Sequence, residues 1–132
     1  MMEYCNDGDM LARVKKYGKV PEQDVIKYLC QILNAFQFLT KHKIMHRDFK
    51  LANILIHDGS IKIADFGFAK LLNTEDYATT MLGSPLNMAP EVLGGNKYNS
   101  KADIWSIGAC VWEMLFGKLF FVYLDHPIWL LI

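Results

Sequence analysis

Residues 104–124 read IWSIGACVWEMLFGKLFFVYL, a run so apolar that it suits only a lipid bilayer or the centre of a domain wrapped on every side. Glu113 and Lys118 argue against the bilayer, because a charge at mid-membrane depth is costly and rare. Ser100 with Asp103 three residues on has the pattern of a capping box, so a buried helix is predicted from about Lys101 to Phe116. Such a helix needs neighbours all round, and a chain of 132 residues has room for one small domain with one core.

The candidates for those neighbours lie upstream. Residues 9–17 read as a short helix. PEQDVIKYLCQILNAFQFLTKH reads as a long one, opened by Pro21 at its first helical position with acidic residues in its first turn. Val25, Tyr28, Leu29, Ile32, Leu33, Phe36 and Leu39 recur at helical spacing, which predicts one wide face laid on the core. NILIHDGSIKIAD then reads as two short strands joined at His57-Asp58-Gly59-Ser60, with Asp-Gly supplying the turn. Residues 65–88 have little periodicity and form a loop long enough to suggest a function.

Charge narrows the partners. Lys plus Arg and Asp plus Glu both number 14, so no overall field draws the chain to nucleic acid or to an acidic membrane, and any phosphate must be bound locally. Cys5, Cys30 and Cys110 form no Cys-x-x-Cys pair, and the acidic opening MMEYCNDGDM is unlike a secretory leader, so a reducing, cytoplasmic setting is expected.

Between the long helix and the hairpin stands HRDFKLANIL, residues 46–55, with Asp48, Lys50 and Asn53 on one polar loop. A general base, a phosphate clamp and a hard metal ligand at this spacing are what moving a phosphoryl group onto a hydroxyl requires. Singly each residue has a plainer reading: Asp48 an Asx turn, Lys50 a solvated lysine, Asn53 or Asp65 a turn residue. In combination the plain readings would have to coincide in register.

Four motifs follow in order: His46-Arg47-Asp48-x-Lys50-x-x-Asn53, Asp65-Phe66-Gly67, Ala89-Pro90-Glu91 and Asp103-x-Trp105-x-x-Gly108. Together they resemble the C-terminal lobe of a eukaryotic protein kinase over residues 1 to about 121, with residues 122–132 a divergent apolar tail. The fold class this implies is mainly α with a short β-hairpin, a truncated lower lobe of the kinase-like fold. The lysine at 50 is similar to the serine/threonine type. DFGFAK with MLGSPLNMAPEVL resembles the autophagy-initiating kinases, with calcium/calmodulin-type kinases second. Phe49, Leu51 and Asn87 stand where the family more often has leucine, proline and tyrosine.

The resemblance implies an enzyme that uses ATP and Mg²⁺ to phosphorylate Ser or Thr hydroxyls of a protein substrate, with no nucleic-acid or membrane partner. By it Asp48 accepts or orients the hydroxyl proton, Lys50 neutralises the transferring phosphoryl group, and Asn53 and Asp65 hold the metal. Glu3 and Cys5 offer backbone groups to adenine, Asp9 lies near the ribose, and Leu55 belongs to the apolar floor beneath the base. Arg47 beside Asp48 implies a switch by phosphate on the activation segment, with Thr80 the first candidate and Thr79 the second. Ser84 is expected to bond near Asp48 and Lys50.

No Gly-x-Gly-x-x-Gly loop and no Val-Ala-Ile-Lys strand occur, and after GKLFF the family pattern is lost. Lys62, beside the metal position rather than above it, does not replace the missing lysine. The sequence therefore resembles a kinase fragment truncated at both ends, whose upper lobe comes from sequence not present here. Two readings stand: a fragment of a serine/threonine kinase, or a kinase-derived binding module without turnover. Either way the helix from Lys101 lacks neighbours, so the chain alone is expected to be poorly folded and inactive, with IWLLI the one segment able to cover the gap.

Overall fold

A computed structural model describes residues 5–71 and 77–120 of the chain. Four helices and two small antiparallel pairings make up the described fold, with the helices α1 Met10–Tyr17, α2 Glu22–Lys41, α3 Pro90–Leu93 and α4 Lys101–Phe116. The strands are β1 Ile44–Met45, β2 Ile54–His57, β3 Ser60–Ile63 and β4 Lys70–Leu71; β1 pairs with β4 and β2 with β3.

Each element starts where local chemistry permits. Asp9 caps α1 by accepting the Ala12 amide at 2.8 Å, and Gly18 ends it. Pro21 stands one position before the first turn of α2, as its N-cap, where its carbonyl accepts the amides of Asp24 and Val25 at 2.9 and 3.0 Å. Its missing N–H is thus spent outside the helix. Asp58 and Gly59 both take positive φ, 49° and 73°, the geometry that lets a two-residue turn follow the twist of β2 and β3.

The core gathers Met10 and Val14 of α1, Ile32 and Phe36 of α2, Ile54 and Ile56 of β2, and Ile107, Cys110 and Met114 of α4. On α2 the buried stripe is Val25, Tyr28, Ile32, Phe36 and Leu39, while Leu33, expected in it, is 45% exposed. One residue beyond Ile32 is turned about 100° around the axis, which carries Leu33 off the buried face. α1 and α4 meet closely at their ends. A Cβ on Gly117 would lie 1.8 Å from the Gly18 carbonyl oxygen, and the Val20 amide donates to the Met114 carbonyl at 2.8 Å.

Two expectations for α4 are corrected. Ser100 makes no side-chain cap bond, since its backbone is already helical at φ −58° and ψ −14°, and the reciprocal bond is lost because the Asp103 carboxylate is taken by the His46 and Arg47 amides. Nor is the helix wrapped throughout: Ile107, Cys110 and Met114 are buried, yet Ile104 is 57% and Phe116 49% exposed. No described helix is long and apolar enough to cross a membrane.

Candidate active site

β1 delivers the chain into the loop at His46, and α4 holds that loop from behind. The Asp103 carboxylate accepts the His46 amide through Oδ2 and the Arg47 amide through Oδ1, both at 3.0 Å. This two-point clamp keeps Arg47 at φ 67°, a left-handed conformation that a non-glycine residue adopts only when its surroundings demand it. Burial raises the Asp103 pKa, and the amides of Arg47 and His46 oppose that shift by bonding the charged form.

His46 is fully buried and joins the loop to the segment after β3. Its Nε2 lies 3.1 Å from the Ala64 carbonyl, so that nitrogen carries the proton, and Nδ1 is left to accept the Asp48 amide at 3.4 Å. Its ring packs on Phe66 at 4.9 Å and edge-on to Phe49 at 5.9 Å. Phe49 in turn meets Phe36 at 4.8 Å, so α2 supports the loop through a stack of rings.

Asp48 is almost entirely buried, and both carboxylate oxygens are engaged. Oδ2 accepts Lys50 Nζ at 2.7 Å and Oδ1 accepts the Ser84 hydroxyl at 3.0 Å, while Lys50 Nζ also donates to Ser84 Oγ at 3.0 Å. Ser84 reaches this position because Gly83 precedes it: at φ 112°, a Cβ there would stand 2.4 Å from the Arg47 carbonyl oxygen and 3.3 Å from Asp48 Oδ1. Only glycine lets the segment lie so close to the loop.

Asn53 Nδ2 donates to the Asp48 carbonyl at 2.8 Å, which turns its Oδ1 away from the loop backbone. The Asn53 carbonyl accepts the Ala64 amide at 2.9 Å, placing Asn53 at the open end of the hairpin beside the residue before Asp65. Asp65 is exposed at φ 63° and accepts the Gly67 amide through Oδ1 at 3.3 Å. Its segment is held at both ends, by β3 before it and by β4 on β1 after it. Arg47 Nε also donates to the Phe68 carbonyl.

The described residues hold no group of three or more His, Cys, Asp or Glu side chains able to bind a metal. Two hard oxygen donors, Asn53 Oδ1 and the Asp65 carboxylate, suit Mg²⁺ nonetheless, since that ion keeps several waters and takes its other ligands from substrate phosphates.

The remaining candidates are distributed as follows. Asp9 and Leu55 face each other in an isolated antiparallel bridge, flanked by bonds of 3.1 Å from the Asp7 amide to the Ile56 carbonyl and 2.8 Å from the Ile56 amide to the Gly8 carbonyl. Cys5 and Leu55 are half-buried, Asp9 serves as the α1 cap, and Glu3 lies outside the described residues. Thr79 and Thr80 are exposed, and the Thr80 carbonyl accepts the Tyr98 hydroxyl at 2.7 Å. Asn87 is buried, where Nδ2 lies 3.7 Å from Cys110 Sγ and its carbonyl accepts the Ser106 hydroxyl at 2.8 Å. Sequence reasoning missed the anchoring by Asp103 and the structural use of His46 and Gly83. An acid on an apolar helix and a glycine one residue before Ser84 were the available signals.

A polar loop clamped from a central helix carries a lysine-paired aspartate, with the side-chain oxygens of Asn53 and Asp65 at the hairpin mouth. Residues 1–127 match the family model described as the protein kinase domain, and the chain belongs to that family. It is 41% identical over 122 residues to the serine/threonine-protein kinase ATG1b of Arabidopsis thaliana, covering 89% of this chain and 17% of that protein. Identity to atg1 of Dictyostelium discoideum is 40% over the same share of the chain and 18% of the relative. For unc-51 of Caenorhabditis elegans it is 40% over 96% of the chain and 16% of the relative. These relatives are serine/threonine-protein kinases of the group that the sequence resembles, and the chain spans less than a fifth of each of the three.

Proposed function

We propose that this chain is the lower-lobe portion of a cytoplasmic serine/threonine protein kinase that transfers the γ-phosphoryl group of ATP to a hydroxyl of a protein substrate. The observation that carries the reading is the Asp48 carboxylate held between Lys50 and Ser84 on a loop whose far end, Asn53, meets the Asp65 segment. ATP with Mg²⁺ supplies the activated phosphoryl group and the charge that offsets its oxygens. Asn53 Oδ1 and Asp65 would hold the metal, while the backbone at Cys5, with Asp9 and Leu55, would frame the nucleoside; Glu3, expected beside Cys5, lies outside the described residues.

In the transfer, a bond forms between the substrate hydroxyl oxygen and the γ-phosphorus as the bond to the bridging oxygen breaks. Asp48 accepts or orients the hydroxyl proton, and Lys50 neutralises the moving phosphoryl charge. Ser84 holds the carboxylate so that one oxygen faces the incoming hydroxyl once Lys50 turns to phosphate. A phosphate on Thr80, or on Thr79, adds nearly two negative charges that pair with Arg47 and order the segment.

The test joins this chain behind the upper lobe of a related kinase and measures turnover beside nucleotide titration. Asp48→Asn should lower kcat by about 10²–10⁴-fold with nucleotide affinity nearly intact. Asp65→Asn should also weaken Mg²⁺-nucleotide binding, because a ligand charge is lost. Undiminished turnover in Asp48→Asn would remove that residue from the role of base. Full activity in Thr79→Ala/Thr80→Ala would remove the switch.

A further inference from the structure

The loop between α3 and α4 carries Tyr98, which is 4% exposed. Its ring belongs to a second buried cluster, with Met45 of β1, Met88, Val92 of α3 and Ala102 of α4. The loop is tied at both ends: the Asn96 amide donates to the Glu91 carbonyl at 2.9 Å, and Asn99 Oδ1 accepts the Lys101 amide at 3.0 Å. Tyr98 is therefore a fixed post. The segment that leads to Ser84 is bonded to it twice. Ala78 and Tyr98 form an isolated antiparallel bridge, in which the Ala78 amide donates to the Tyr98 carbonyl at 2.8 Å and the Tyr98 amide to the Ala78 carbonyl at 3.0 Å. Two residues on, the Tyr98 hydroxyl donates to the Thr80 carbonyl at 2.7 Å. The ring alone would fill the cluster, as that of phenylalanine would; the hydroxyl serves the segment.

We propose that Tyr98 is a positioning residue for the transfer site: its hydroxyl latches the segment at Thr80 and so sets where Ser84 meets Asp48. The consequence for transfer rests on the function proposed above; the latch itself does not. The backbone bonds at Ala78 fix a point six residues before Ser84, and the hydroxyl brings the last fixed point to four residues before it. Four extended residues span at most about 14 Å, against about 21 Å for six, so the latch removes a third of the reach over which Ser84 could wander. Little wandering is tolerable, because Gly83 lies where even a Cβ would stand 2.4 Å from the Arg47 carbonyl oxygen, and Ser84 must bond Asp48 directly after it. A small cavity of about 20 Å³, with Arg47, Leu82, Tyr98 and Asp103 among its lining, marks the place where post, segment and clamped loop meet. Since the latch takes the backbone carbonyl of Thr80, the side chain of that residue stays exposed.

The full chain is compared with Tyr98→Phe, which keeps the ring and deletes one donor, by amide hydrogen exchange followed by NMR, both by itself and joined behind the upper lobe of a related kinase. The Ala78 amide, bonded to Tyr98, and the Asn87 amide, which donates to the Ser84 carbonyl at 3.0 Å, read the segment; the Val25 and Ile56 amides read the rest of the fold. The latch predicts exchange several-fold faster at Ala78 and Asn87 and unchanged at Val25 and Ile56. In the joined form kcat should fall several-fold with KM for ATP retained, and Tyr98→Phe should cost little more once Ser84→Ala has removed the residue it acts through. Unchanged exchange at Ala78 and Asn87 overturns the latch, and so does equal acceleration at all four amides, which would make the hydroxyl a contributor to global stability alone. Full kcat in Tyr98→Phe, or losses that multiply independently in the double variant, overturns the link to Ser84. A joined form without turnover in any variant would refute the phosphoryl-transfer reading, and the exchange rates would still decide the latch.

Discussion

Asp103→Ala isolates the clamp that shapes the loop from His46 to Asn53. The substitution deletes both acceptors of the His46 and Arg47 amides, each bonded at 3.0 Å to a carboxylate 3% exposed. A buried amide left without a partner costs about 1–3 kcal/mol, so two cost roughly 2–6 kcal/mol, a large share of a typical total of about 5–15 kcal/mol. Asp103→Asn keeps one oxygen to accept one amide but turns an NH₂ toward the other, and it buries no charge; it should lose less than alanine. The pH sign is fixed by the direction of the shift. Because folding raises the Asp103 pKa, the stability it contributes is full below the ordinary value of 3.8 and is lost as pH rises through the folded value. Asp103→Asn lacks that component. Urea unfolding from pH 3 to 8 reads the energies, and amide hydrogen exchange at His46 and Arg47 reads the loop directly, with faster exchange expected in alanine than in asparagine. A loss under about 1 kcal/mol in Asp103→Ala, or asparagine proving worse than alanine, would refute the clamp as the source of loop order.

Gly83→Ala should strain the segment by about 1–3 kcal/mol, since φ 112° is a conformation reserved for glycine. It must also move the Cβ off the Arg47 carbonyl oxygen, 2.4 Å away, and a displacement of about 1 Å at Ser84 should lower kcat on the order of 10²-fold in the chain joined to an upper lobe. Unchanged kcat would mean that Ser84 does not position Asp48. Glu113 is pushed up by burial, with Lys15 opposing, so its contribution to stability is present below the ordinary 4.5 and lost as pH rises through the folded value. Glu113→Gln should therefore melt with the parent near pH 4 and above it at pH 8, and a constant gap across that range would exclude Glu113 as the titrating group.

What was legible in the sequence is what short-range chemistry decides. The hairpin follows from Asp58-Gly59 because a two-residue turn with both φ positive leaves one register for its strands, and β2 and β3 pair from His57↔Ser60 outward. The bounds of α1 and α4 follow from helical periodicity ended by Gly18 and Gly117. Less legible was any residue with two possible partners at different distances along the chain. Asp103 could serve Ser100 three residues away or amides 56 and 57 residues away, and burial favours the second: in a core without water those amides have few other acceptors, whereas a helix start at the surface has solvent. Leu33 failed for a related reason, since periodicity alone allowed a face wider than β3 and α4 cover. The loop proposed to be catalytic lies between these cases. Its residue types announced phosphoryl chemistry, but its shape depends on an acid half the chain away, and Asp48 meets Lys50 and Ser84 only because Asp103 bends the backbone at Arg47 and Gly83 lets the next segment touch it. A local motif thus names the groups proposed to react, while their geometry is set by contacts that only the folded chain brings together.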